Sequence, residues 1–388
     1  MDLRERRIAL LFTMRTAIQR QVLHGISRFA MGQPHWHWRG ALPVDSVHKT
    51  LAAWKPDGII GSIESPEMIQ LVKQLGVPSI DMSNCMANPH CARIGVDDEK
   101  IGRTAAEYFI ERGFKSFGYV DGANLWFSEV RGRSFASALQ KAGFSCQTIQ
   151  IPDAEKAPRP SPFWVTDNSC LKAWLRKLPK PVAVFASCDL FAMIVLLCCN
   201  ETGIAVPDSA AVLGVDNDEI LCALARPSLS SISQPAEEIG FAAAELLEKM
   251  MRGEVPMESH RLFSPGVVVT RASTDILSID DPDVRDAVRF IRENIRKPIS
   301  VAHITQEVAI SRRRLEQKFR KSLGSTPQEE IRRARVELAK QLLSQTDMAM
   351  PTIASRAGFA NAARLSILFR RYVGTTPREY RHRNQFLV

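Results

Sequence analysis

At 388 residues and 45% hydrophobic, the chain is long enough for two or three units with cores of their own. Its net charge of +9 is unevenly spread: residues 283–388 hold 22 Lys and Arg against 10 Asp and Glu, which leaves residues 1–282 at −3. No apolar stretch suits a signal peptide or a membrane span, and eight cysteines without a Cys-x-x-Cys pair exclude a disulfide scaffold or zinc ribbon, so a cytoplasmic chain with reduced thiols is expected.

Strands and helices alternate through the first 282 residues. In order, the reading is a strand at Ile8–Phe12, a helix through Val22–Ala30, a strand at Gly58–Gly61, a helix through Met68–Leu75 and a strand at Pro78–Met82. A helix from about Lys100 to Arg112 and a strand at Phe117–Val120 follow. Further strands fall at Ala183–Ala186 and Ala211–Val215, with helices near Arg131–Ala142, Phe191–Thr202 and Ala236–Met251. Short apolar runs separated by amphipathic helices predict parallel sheets, hence an α/β fold. His35 and His37 flank Trp36, but no third ligand converges on them in sequence, so a loop or strand role is expected and neither metal nor cofactor is.

Ligands of open parallel sheets sit beyond the carboxyl ends of the strands. Asp81, Asp121, Ser187 with Asp189, and Asp216 with Asn217 each follow an apolar run, where carboxylates suit a hydroxyl-rich ligand. Taken singly, each Asp is more often a helix cap or turn former; their shared position favours a site. Arg131 could hydrogen-bond two sugar oxygens, and the indole of Trp126 could pack on a pyranose face or equally belong to the core.

Three stretches resemble the periplasmic-binding-protein-like sensor domain of LacI/GalR regulators: Val96-Asp-Asp-Glu-Lys-Ile-Gly-Arg-Thr-Ala105, Arg131-Gly-Arg-Ser-Phe-Ala-Ser-Ala-Leu139, and the run from Val184 through Asp189, Pro207-Asp208 and Asp216-Asn217 to Gln234-Pro235. The resemblance implies a two-lobed domain over residues 1–275 that binds a small sugar, first a pentose such as xylose. It maps sugar contacts onto Arg131, Asp189, Asp216, Asp81 and Gln234, and Cys188 departs from the asparagine common in that family. Because Ile8 already begins the first strand, that family's amino-terminal DNA-binding helices are not expected here.

Residues 276–282 read as a linker, and Pro282 opens a helix with Val284, Ala287, Val288, Ile291 and Ile295 on one face. Beyond it a pattern repeats fifty positions apart: Leu315, Phe319, Arg320, Gly324, Thr326 and Pro327 recur as Leu365, Phe369, Arg370, Gly374, Thr376 and Pro377. Apolar residues four apart mark a helix face, glycine ends the helix, and Thr-Pro with Glu three residues after the threonine restarts one. A shorter helix precedes each copy, giving two helix-turn-helix units joined by a helix from about 328 to 344. That connection allows the two recognition helices to lie about one DNA turn, roughly 34 Å, apart.

The repeat resembles the DNA-binding domain of AraC-type regulators, most closely from Ile353 through Gly358-Phe359 to Gly374-Thr-Thr-Pro-x-x-Tyr380-Arg381. That likeness places Arg312, Arg313 and Gln317 of the first unit, and Ala362, Ala363 and Arg364 of the second, towards bases. Ile367 stands where the family often has arginine, so the second unit would either read fewer bases or rely on apolar contact with thymine methyls. Together the readings predict a non-enzymatic transcription regulator with double-stranded DNA, a sugar effector, a second copy of itself and RNA polymerase as partners, and no membrane. Two alternatives stay open: a carbohydrate-active enzyme using Asp189 and Asp216, and a front domain that only dimerises.

Overall fold

The computed structural model describes residues 5–12, 16–40, 51, 53–151, 168–254, 260–275 and 281–384, and the chain divides into two compact units, Met1–Asp275 and Ile276–Val388. Of the stretch 276–282 expected to link them, residues 276–280 lie outside the described residues. No helix among the described residues is long and apolar enough to cross a membrane.

The first unit holds two six-stranded sheets. One runs β11 (His260–Phe263), β5 (Ala92–Val96), β4 (Ser79–Asp81), β3 (Gly58–Gly61), β1 (Arg6–Leu11), β2 (Trp36–Gly40), with every neighbour parallel. The other runs β12 (Val268–Val269), β10 (Ser230–Ser233), β9 (Ala210–Asp216), β8 (Val182–Ala186), β6 (Ser116–Gly122), β7 (Cys146–Ile151), parallel except where β12 meets β10. Helices cover the sheets, so central strands such as β3 and β8 are buried along their whole length, and this explains their unbroken apolar runs. The chain passes between the lobes three times: after β5, after β10 and between β11 and β12.

Among the described residues, the helices of this unit that can be bounded are α1 (Ala17–Ala30), α2 (Pro66–Leu75), α3 (Asp98–Glu111), α4 (Trp126–Lys141), α5 (Ser169–Lys177), α6 (Asp189–Glu201), α7 (Glu219–Leu224) and α8 (Ala236–Met251). On α4 the buried residues Ser128, Arg131, Phe135 and Leu139 recur every three or four positions, so the stripe that sinks Phe135 also turns Arg131 inward. Phe135 meets Phe185 of β8 at 5.1 Å between ring centroids and Phe117 of β6 at 6.4 Å, which fixes α4 against the sheet. Helix α4 begins five residues before the sequence reading placed it, and no side chain caps it.

Trp36 and His35 hold β2 to α8: the indole donates to Glu248 Oε2 at 2.7 Å, and His35 Nε2 lies 3.5 Å from Glu248 Oε1. All eight cysteines are free thiols.

The described residues of the second unit form helices α9 (Pro282–Asn294), α10 (Val301–Glu307), α11 (Arg312–Leu323), α12 (Pro327–Gln345), α13 (Met350–Arg356), α14 (Ala362–Val373) and α15 (Pro377–Asn384), with no strand among them. Leu315 and Phe319 of α11, and Leu365 and Phe369 of α14, are fully buried in one core with Val284, Ile291, Ile304, Ile331 and Ile353. The leucine and phenylalanine of the repeat are thus core positions in both copies.

Candidate ligand cavity and nucleic-acid interface

A cavity of about 460 Å³ opens between the lobes, within the usual size range of small-molecule sites. Its walls include Phe12, Val22, Phe127, Leu190 and Leu221, with Arg131, Asp98, Asp189, Asp216, Asp218, Asn84 and Gln234 supplying polar groups. Of the residues singled out in the sequence, Arg131, Asp189, Asp216 and Gln234 therefore meet in one place. Asp81 and Trp126 do not line it. Asp81 is fully buried against Arg93 at 3.1 Å and accepts from the amides of Ile63 and Ser83, whereas the Trp126 ring lies 5.0 Å from the Arg133 guanidinium carbon.

Arg131 is 4% exposed and is held from two sides: its Nε donates to Asp98 Oδ1 at 2.7 Å, and Nη1 donates to the Ser187 carbonyl at 2.5 Å. Its guanidinium carbon sits 4.7 Å from the Phe127 ring centroid. Burial raises the Asp98 carboxyl, and the Arg131 charge opposes that shift.

Asp189 opens α6, with both oxygens occupied: Oδ1 accepts from Ser231 Oγ at 2.6 Å, and Oδ2 from the Asp218 amide at 2.8 Å and Cys222 Sγ at 3.5 Å. A β-carbon on Gly214 would come within 2.2 Å of Asp189 Oδ1, so only glycine leaves the carboxylate room. Burial, then the neighbouring Asp216, pushes its proton affinity well above the carboxylate range.

Asp216 ends β9 with φ +109° and Asn217 follows at φ +50°, a strained pair for non-glycine residues. Their neighbours hold them there. Gln234 Nε2 donates to Asp216 Oδ1 at 2.6 Å, and Arg271 Nη2 donates to Asn217 Oδ1 at 2.8 Å. Burial pushes the Asp216 carboxyl up to about 6, against the pull of Arg131. Gln234 lies on the crossing after β10, so a group that lines the cavity sits on a segment joining the lobes.

Asp98, Asn84, Phe127 and Asp218 were not chosen from the sequence. Asp98 belongs to the same Val96-Asp-Asp stretch that carried the resemblance, and Phe127 adjoins Trp126. Asn84 offers no local signal beyond its place after β4.

In the second unit the two turns differ. Gly358 takes φ +74° in the second, while the first places Ala309 at φ +53°, a costly conformation for alanine. Ser311 Oγ accepts the Arg314 amide at 3.4 Å and Asn361 Oδ1 the Arg364 amide at 2.8 Å, starting α11 and α14. Thr326 with Glu329 caps α12 reciprocally, at 2.9 and 3.3 Å, and Thr376 with Glu379 repeats this for α15 at 2.9 and 3.2 Å.

With Leu315 and Phe319 inward, α11 exposes Arg312, Arg313, Arg314, Gln317, Arg320 and Lys321. On α14 the exposed residues are Ala363, Arg364, Ser366, Ile367, Arg370 and Arg371, with Ala362 half-buried. Arg312 Nε donates to Glu316 Oε1 at 2.9 Å, and Ile367 is 62% exposed. Cations on the outward faces of both second helices suit a phosphate backbone.

Two family models match the chain, a periplasmic binding protein-like domain at residues 106–274 and a helix-turn-helix domain at residues 304–383. The chain joins a periplasmic-binding-protein-like domain to an AraC-type helix-turn-helix domain. Over 97% of its length it is 28% identical to the xylose operon regulatory protein of Haemophilus influenzae, of which it covers 98%, and equally identical to the Escherichia coli K12 protein of that name over 97% of both. The solved structure of the xylose-binding transcription activator xylR covers all of both chains with a TM-score of 0.67 at 27% identity. A LacI regulator from Alkaliphilus metalliredigens, solved with D-xylulofuranose, shares the fold of the front domain: TM-score 0.57 and 20% identity over 70% of this chain and 99% of that one.

Proposed function

We propose that this protein is a DNA-binding transcription regulator whose periplasmic-binding-protein-like domain closes on a small sugar, with D-xylose as effector and activation of transcription as output. The observation that carries the reading is a cavity of about 460 Å³ lined by Arg131, Asp216 and Gln234 in the same chain as two capped, cation-bearing helix-turn-helix units. Sugar hydroxyls would donate to Asp216 and accept from Arg131, while Phe12 and Phe127 would pack on the C–H faces. Xylose is the choice because the relatives that match end to end are xylose operon regulators.

Arg312, Arg313 and Gln317 in one unit, and Ala363, Arg364 and Ile367 in the other, would face the bases, with Arg320, Lys321, Arg370 and Arg371 on phosphates. The chain would work in the cytoplasm as a homodimer that recruits RNA polymerase. A hydrolase reading that pairs Asp189 with Asp216 is disfavoured because both oxygens of Asp189 are engaged by Ser231, Asp218 and Cys222.

Calorimetric titration of the full chain with D-xylose, L-arabinose, D-ribose and D-glucose, followed by turnover assays on labelled sugars, tests this. Selective heat with xylose and no product is expected; product formation, or no heat with any sugar, would overturn it.

A further inference from the structure

Helix α4 carries Arg131 and Phe127 into the cavity, yet Leu125 at its cap position offers no side-chain acceptor. Its opening amides are satisfied from the other lobe: the Trp126 amide donates to the Cys85 carbonyl at 2.9 Å and the Phe127 amide to the Asn84 carbonyl at 2.9 Å. Both carbonyls belong to the loop after β4. Asn84 takes φ +50°, a conformation that asparagine tolerates better than other residues with a β-carbon, and this bend accompanies the carbonyl contact. Its side-chain amide meanwhile donates to Asp98 Oδ2, and the other oxygen of that carboxylate holds Arg131 at 2.7 Å. Asp98 is 3% exposed, so an unsatisfied oxygen there would be costly.

We infer that Asn84 is a positioning residue for effector binding: through its carbonyl on α4 and its amide on Asp98, it makes the orientation of Arg131 depend on the lobes being closed. The inference rests on the sugar-sensor reading. A ligand that needs Arg131 aimed into the cavity therefore favours the closed arrangement, because opening removes two helix-capping carbonyls and the partner of Asp98 together.

Two variants of the full chain separate the contacts. Asn84→Gly keeps the positive φ and the carbonyl but deletes the amide; Asn84→Ala also strains the bend. Hydrogen exchange of the segment from Leu125 to Arg131, measured without ligand, is expected to quicken about fivefold to tenfold in Asn84→Ala, with the α6 segment unchanged as control. The D-xylose dissociation constant is expected to rise about tenfold in Asn84→Gly. Its affinity should also begin to fall at higher pH than in the wild type, since Asp98 without the Asn84 donor holds its proton more readily.

Identical exchange in wild type and Asn84→Ala overturns the inference whatever xylose does. Faster exchange with an unchanged dissociation constant and pH profile overturns it too, because the contact would then be structural only. If the wild type binds no xylose while the exchange difference appears, the effector assignment fails and the link to ligand binding falls with it, leaving only the interlobe contact.

Discussion

The two units use charge in opposite ways. In the helix-turn-helix unit, Arg313, Arg314, Arg320, Arg364, Arg370 and Arg371 stand exposed on helices whose packing does not depend on them. In the front unit Arg131, Asp98 and Asp189 are buried, and each is held by groups from distant segments. A polyanion is met by reach and number, with solvent present until contact; a small neutral polyol needs donors and acceptors already fixed in place. The price of fixing them is that the same residues hold the fold, so function and stability should separate in one unit and coincide in the other.

The widest gap should come from Arg131→Ala against Arg320→Ala. Removing Arg131 leaves Asp98 buried without its cation, and denaturant unfolding of the front unit should show a loss of about 3–5 kcal/mol together with loss of the xylose response. Arg320→Ala should change stability by less than about 0.5 kcal/mol and lower the salt dependence of DNA binding by about one phosphate contact. A stable Arg131→Ala that still binds xylose would break the contrast.

Arg364→Ala sharpens it within the tail. Against DNA fragments selected by the protein from a random pool, it should cost about 1–3 kcal/mol at particular base pairs, whereas a uniform loss across sequences would reassign Arg364 to the backbone.

Asp216 gives the front unit a pH signature. Its proton is held more tightly folded than unfolded, with the carboxyl raised from 3.8 to about 6, so its contribution to stability is full below the unfolded value and is lost as pH rises through about 6. Asp216→Asn should flatten that slope between about pH 4 and 6, raise ligand-free stability at pH 7 by about 1–3 kcal/mol, and still weaken xylose binding. Wild-type affinity should rise over the same interval, as ionisation supplies the acceptor for sugar hydroxyls.

The smallest effect belongs to the first turn: Ala309→Gly relieves φ +53° and should stabilise the tail by at most about 1 kcal/mol, read as a higher thermal midpoint.

The same contrast explains what could be read in advance. Thr326 with Glu329, Gly324, and the Leu315 and Phe319 spacing are local signals, and α11 to α15 follow them closely. In the front unit the apolar runs located β1, β3, β4, β6, β8 and β9, and helix α8 ends where its periodicity does. Strand β11 pairs with β5, far back along the chain, and β12 has only two residues, so no local pattern marks either. The start of α4 was missed because its caps are carbonyls of Asn84 and Cys85. Asp81 ends β4 and Asp189 lies just beyond β8, yet only Asp189 lines the cavity, since Asp81 is paired with Arg93 of the neighbouring strand. Which carboxylate lines the cavity is decided by its long-range partner.

The most direct test is the affinity of the full chain for a pool-selected DNA fragment, with and without saturating D-xylose, alongside Arg131→Ala. The account predicts that xylose changes wild-type affinity by about 5-fold to 150-fold and leaves Arg131→Ala unmoved. Equal affinity with and without xylose in the wild type, or an equal shift in Arg131→Ala, would contradict it.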